Sequence, residues 1–226
     1  MKKIIILIAC VLTASCASVR PGTATNYELS LVAPEETKNF VLTARKVFDE
    51  PMLGTMLEYT NKQYPDDNID LYIYPIDHYD WEDAENTLKR EMDKVIAEID
   101  SAVEYGYYAS RTEESRETFG VPQGEKTFNG LKSSFELKSK DEVTYHSNAY
   151  VFMQKDKFIK FRTSFDSRAT VPWSGDQSVA EILPELIVPD ESEYMKELRI
   201  AHRQQVTANI MKLLIQAAKQ GGATSD

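Results

Sequence analysis

SNAYVFMQKDKFIKFRTSF, residues 147–165, is the stretch on which the fold turns. Two runs rich in β-branched and aromatic residues, Ser147–Met153 and Phe158–Phe165, flank the polar triplet Lys155-Asp156-Lys157. Such runs suit a pleated, half-buried surface, and the short polar break between them predicts a hairpin. Because side chains alternate along a strand, Ile159, Phe161, Thr163 and Phe165 share one face while Lys160 and Arg162 point the other way. Lys160 and Arg162 are therefore candidate binding residues for an anionic partner; the competing account is that they are solvent-side residues whose stems cover the sheet.

The same grammar extends outward. Gly130–Leu137 alternates apolar and polar residues, as a strand wet on one side does. Phe40–Phe48 and Gly54–Thr60 bracket Asp49-Glu50-Pro51, a second hairpin. Ile69–Ile76 is a strand with Pro75 at its end. A helix follows, with Asp80 as cap and Glu82 and Asp83 in its first turn. Its apolar residues Trp81, Ala84, Leu88, Met92, Val95, Ile96, Ile99, Ala102 and Val103 recur at three and four, and Gly106 ends it. Tyr105, Tyr107 and Tyr108 then form either an aromatic loop patch or a closing contact beneath the helix. A short helical turn starts at Ser178, with Glu181 completing a capping box and Pro184 limiting it. The last helix runs from about Glu191 to Gln220, carries Met195, Leu198, Val206, Ile210, Leu213, Leu214 and Ala217, and stops at Gly221.

Strands, a helix, strands and a helix predict an α+β fold: a mostly antiparallel sheet with helices packed on it, plus a C-terminal helix. The order resembles the PsbP-like fold of photosystem accessory proteins and several small bacterial lipoproteins. The stretch Gly130–Phe165, with Tyr150-Val151-Phe152 and Phe158-Ile159-Lys160-Phe161-Arg162, is similar to that family's central hairpins. The resemblance implies a PsbP-like architecture and, since the family is mostly non-catalytic, a binding or accessory role.

The amino terminus carries a separate signal. Met1-Lys2-Lys3 precedes the apolar run Ile4–Leu12, a basic region and hydrophobic core of signal-peptide length, too short to span a bilayer. Small residues at Thr13, Ala14 and Ser15 lead to Cys16. Here the sequence resembles the bacterial lipoproteins, although Leu12 stands one place early and Thr13 occupies the usual leucine position. Leu7-Ile8-Ala9-Cys10 matches that pattern better by letter, but cleavage there would leave an apolar core of only a few residues. The resemblance implies a signal peptide at 1–15, acylation of Cys16 and, because Ala17 and not an aspartate follows, anchoring in the outer membrane at the periplasmic face. Cys10 and Cys16 are the two cysteines of the chain, so cleavage would leave one thiol and no internal disulfide. The remainder is long enough to bury a sizeable core without one. Residues 16–27 read as a lipidated tether, 28–221 as a single α+β domain and 222–226 as an irregular tail.

Charge restricts the partners. The 226-residue chain has 26 Lys and Arg against 36 Asp and Glu; removal of Lys2 and Lys3 with the leader leaves a net charge of −12. That balance repels nucleic acid and anionic lipid headgroups, and no basic cluster interleaved with aromatics offsets it, so nucleic acid is not an expected partner. Glu113-Glu114-Ser115-Arg116-Glu117 reads as solvated face and loop charge.

No Gly-x-Ser-x-Gly elbow, His-Glu-x-x-His pair or phosphate-cradling glycine loop occurs, and His78, His146 and His202 have no ligand spacing. A lone acylated cysteine leaves no thiol chemistry, and no cofactor is implied. Asp66-Asp67-Asn68 and Asp70 lack the glycine and distal glutamate of a calcium loop. The best local candidate is Asp77-His78-Tyr79-Asp80-Trp81-Glu82-Asp83, where Asp77, His78 and Asp80 could hold a divalent cation or act as acid and base. Against this stands an ordinary helix start in which Asp80 caps and His78 is a surface residue. The sequence thus predicts a lipid-anchored envelope protein that binds a protein partner without catalysis. A metal-assisted envelope hydrolase built on the Asp77–Asp83 loop, and an immunity or inhibitor lipoprotein, are the alternatives.

Overall fold

The computed structural model describes residues 30–78, 81–168 and 174–221. The leader, Cys16, the tether, Asp80 and the tail at 222–226 lie outside the described residues. Among those described, seven strands form one sheet in which every neighbouring pair is antiparallel. Its order is β1 (Phe40–Val47), β2 (Thr55–Asn61), β3 (Tyr64–Pro75), β7 (Lys157–Asp166), β6 (Thr144–Gln154), β5 (Lys126–Lys138) and β4 (Ser110–Gln123). Helix α1 (Ala84–Glu104) takes the chain from the end of β3 in mid-sheet to β4 at the far edge, and the meander β4 to β7 returns to pair with β3. The fold is α+β, as the element order predicts. The hairpin at 147–165 sits where expected, and its turn residue Lys155 takes a positive φ of 58°.

Alternation gives the sheet two apolar faces, each covered by different elements. On one, Leu88, Met92, Val95 and Ile99 of α1 meet Phe135, Leu137, Val151 and Phe158. On the other, helix α2 (Gly175–Ile182) and the segments around Leu31 and Leu186 cover Leu57, Ile69, Leu71, Phe152, Ile159 and Phe161. Leu31 and Leu186 are held in place by the isolated bridge between Val32 and Ile187. Gly175 lets α2 begin against the sheet: a Cβ there would stand 2.5 Å from the Tyr150 hydroxyl and 2.6 Å from Thr163 Oγ1.

Both short-range cap assignments shift by a turn. Helix α1 starts at Ala84 and its cap is Asp83, whose carboxylate accepts from the Asn86 amide; Glu82 therefore stands before the helix. Helix α2 is capped by Ser174, which accepts from the Gln177 amide, not by Ser178. Ser178 is buried and donates to the Gly175 carbonyl, while the Glu181 carboxylate reaches out of the helix to Thr37 and Asn39. In both regions several capping residue types follow one another, and packing against the sheet selects among them.

The acidic run at 113–117 belongs to edge strand β4 and not to a loop. Arg116 pairs with Asp93 at 2.6 Å and with Glu113 at 3.2 Å, and Arg111 pairs with Asp100 at 2.7 Å, so charge ties this edge to α1. Of the three tyrosines after α1, Tyr108 packs under the helix, whereas Tyr105 and Tyr107 are exposed.

Helix α3 (Glu193–Gly221) forms as its periodicity predicts, with Ser192 capping Met195. Packing on the fold ends early. Met195 and Arg199 are each 2% exposed, but Val206, Ile210, Leu213 and Leu214 are solvent-exposed.

Candidate functional site

The strands deliver Lys160 and Arg162 to the face that α1 covers, so neither belongs to a free cationic stripe. Lys160 is buried, with Nζ 3.2 Å from Glu98 Oε2 and over the rings of Tyr72 and Tyr74 at 5.1 and 5.4 Å. Both ring faces offer negative quadrupoles to the ammonium. The expectation of a solvent-side lysine fails because α1 crosses the polar positions of the central strands. A cavity of about 270 Å³ opens beside it, bounded by Phe48, Met52, Leu53, Glu91 and Glu98 as well as the two tyrosines. Tyr74 donates to Glu91 at 2.6 Å, and burial, then the Glu91 charge and this hydrogen bond, push its phenol far above the ordinary range. The cavity is thus an aromatic and acidic cage with an internal lysine as its cation. Arg162 stands opposite Asp70 across β3 and β7. Burial raises the Asp70 carboxyl, and the Arg162 charge opposes that rise.

Asp77 and His78 follow the end of β3. The Asp77 carboxylate accepts from His78 Nδ1 at 2.9 Å and from Lys94 at 3.3 Å, and His78 Nε2 lies 3.4 Å from Thr87 Oγ1. Burial pushes the Asp77 carboxyl up, but His78 and Lys94 outweigh it and hold it below the usual range. The acid, imidazole and hydroxyl lie in the order of a proton relay, yet Thr87 is fully buried on the sheet-facing side of α1 and no substrate carbon reaches its hydroxyl. Among the described residues no three of His, Cys, Asp and Glu gather as metal ligands; Asp80, the third member of the expected set, lies outside them.

A larger cleft lies where sequence gave no pointer, between the first turns of α1 and the β4–β5 hairpin. It has a volume of about 660 Å³, with Ala84 and Leu88 on one wall and Leu131 and Thr118 on the floor. Thr118 and Leu131 are directly opposed across the two strands and so face α1 together. Lys89, Arg116 and Glu85 give its rim both signs of charge. The volume falls in the range of ligand pockets, which also combine apolar walls with a few polar groups. An apolar side chain inserted from a partner, with polar backbone or charge at the rim, is what such a cleft accommodates. Its lining comes from α1, β4 and β5, and β4 has too few apolar residues to show a period of two.

No protein-family model matches the chain, and no curated protein matches it. Among solved structures it is similar to the solution structure of cyanobacterial PsbP (CyanoP) from Synechocystis sp. PCC 6803, with 17% sequence identity and a TM-score of 0.41. That likeness covers 78% of this chain and 99% of the cyanobacterial one.

Proposed function

We propose that the protein is an outer-membrane lipoprotein, held at the periplasmic face by acyl chains on Cys16, whose folded part acts as a non-catalytic binding or accessory protein of the cell envelope. The anchoring half is supported by the leader: two lysines, an apolar run too short to span, small residues, and a cysteine that is the only thiol after cleavage. Two or three acyl chains give a stable attachment where one is marginal. The binding half rests on the cleft between α1 and the β4–β5 hairpin, a partner-sized recess whose rim charges, Lys89, Arg116 and Glu85, can orient a bound segment. In contrast, Asp77 and His78 are engaged with Lys94 and with the buried Thr87, an arrangement suited to locking the loop to α1.

Fractionation and capture test the two halves. Mass spectrometry of the mature amino terminus finds acylated Cys16, and Cys16→Ser moves the protein from the membrane fraction to the soluble periplasm. An unmodified terminus, or a variant still in the membrane, overturns the anchor. Thr118→Arg fills the cleft from an exposed position without entering the core; it abolishes cross-linking of a partner through position 89, while a cross-link unaffected by it places binding elsewhere.

A further inference from the structure

The part of α3 that leaves the fold has a division of residues that nothing within the described residues covers. From Gln205 to Gln216 the large side chains Val206, Ile210, Met211, Leu213, Leu214 and Ile215 are all exposed, between 43% and 64%. At about 100° per residue they lie in one sector of roughly 200°, shared with Thr207, while Gln205, Asn209, Lys212 and Gln216 fall in a narrow sector opposite. Residues 203–221 contain Arg203, Lys212 and Lys219 and no carboxylate, in a chain whose net charge is −10. Among the described residues this is the longest run of exposed large apolar side chains, and it carries no acidic residue.

The width of the sector discriminates between occupants. A second copy pairing along a seam would cover Val206, Ile210 and Leu213, which follow a spacing of four and three, but would leave Met211 and Ile215 on the far side. The acidic folded part repels anionic headgroups as it would a second copy, so contact with either is confined to this carboxylate-free segment. A bilayer surface covers the whole sector at once, and its anionic headgroups complement the cations. No helix among the described residues is long and apolar enough to cross a membrane, so α3 lies along the surface.

We propose that residues 203–218 of α3 form an interfacial helix that lies on an anionic phospholipid bilayer, with Val206, Ile210, Leu213 and Leu214 inserted among the acyl chains. This deepens the anchored reading given above by adding a second contact, one that holds the folded part at a fixed attitude to the membrane. Its chemistry does not require the acyl chains, so the two stand or fall separately.

Amide hydrogen exchange on the full-length Cys16→Ser chain, followed segment by segment, separates them. Vesicles of phosphatidylethanolamine with phosphatidylglycerol slow exchange in 203–218 by roughly tenfold or more and leave α1 unchanged. Any affinity of the leader for lipid does not enter, because it reports in other peptides. Phosphatidylcholine vesicles and high salt remove most of the effect, and Ile210→Glu with Leu214→Glu abolishes it while exchange in α1 shows that the fold is intact. No slowing in 203–218 with the anionic vesicles overturns the proposal. So does equal slowing with phosphatidylcholine, or protection that needs no vesicles and rises with protein concentration, the signature of a second copy. Loss of acylation at Cys16 in the wild type would instead sink the anchor and leave this result standing.

Discussion

Lys160 on β7 reaches Glu98 on α1 with its Nζ 3.2 Å from the carboxylate, and it does so from beneath the helix, not from solvent. The two ends of this pair are unlike: the lysine side chain is 10% exposed and the glutamate 57%. A half-exposed carboxylate gains little from a single ion pair, since screening and side-chain entropy offset most of the Coulomb attraction. Most of what Lys160 contributes therefore comes from its stem and from the Tyr72 and Tyr74 rings. Lys160→Met, which keeps the stem, costs less than about 1 kcal/mol, and Lys160→Ala, which leaves a gap under α1, costs about 2–3 kcal/mol by urea unfolding. Glu98→Gln costs under about 1 kcal/mol. Equal losses for Met and Ala would show that the charge, not the packing, dominates.

Two glycines with left-handed backbone provide a matched pair. Gly54 has φ +66°, and a Cβ there would lie 2.0 Å from the Ile73 carbonyl oxygen, a backbone atom of the sheet centre that cannot move aside. Gly124 has φ +59° with nothing within 4 Å of the same position. Gly124→Ala should cost only the conformational term, about 1–2 kcal/mol. Gly54→Ala adds the clash and should cost more than about 3 kcal/mol, or yield no folded protein. Thermal melts showing the two variants alike would mean that the hairpin at Gly54 relaxes freely.

What the sequence discloses here follows from which residues carry a period. The 147–165 hairpin and α1 are legible because their apolar positions repeat at two and at three to four. Strand β4 is not: Arg111 and Arg116 bind α1 through charge, and only Phe119 and Val121 mark an apolar face. Lys160 was legible as facing away from Phe161, but whether that side met water depended on where α1 lay, which no local pattern encodes. The same holds for α3, whose periodicity continues past the point where the sheet stops. The Lys160 cage and the cleft are built by residues distant in sequence; of their lining the sequence offers only Lys160 as a binding candidate, and Asp77 and His78 line neither.

Tyr150 on β6 ties the sheet to α2. It is fully buried, and its hydroxyl donates to Asp176 at 2.7 Å, while Lys132 approaches the same carboxylate at 2.8 Å. Burial first, and then Asp176, push the phenol far above its ordinary range, so it stays a donor at any pH the fold tolerates. Tyr150→Phe keeps the ring packing against Phe119 and removes only this donor. A hydrogen bond to a charged but partly exposed acceptor suggests a loss of about 1–2 kcal/mol. In a double-mutant cycle with Asp176→Asn the two losses should overlap; full additivity would place the hydroxyl's partner elsewhere.

Glu181 predicts how the fold responds to acid. Its carboxylate accepts from Thr37 Oγ1 at 2.8 Å, from the Asn39 amide at 3.0 Å and from Gln177 at 3.1 Å, fastening the segment before β1 onto α2. Burial pushes its carboxyl up, but the hydrogen bonds from Asn39, Thr37 and Gln177 prevail and hold it below the ordinary glutamate value. A depressed native pKa means that the unfolded chain binds the proton first. The stabilisation is therefore complete above the unfolded value of about 4.3 and is lost as pH falls through the lower native one. Glu181→Gln removes that proton linkage, so the stability gap between wild type and variant should be widest above about pH 5 and narrow toward pH 3. Urea midpoints measured across that interval check it, and a gap that stays constant with pH would show that the strap is held by something other than the ionised carboxylate.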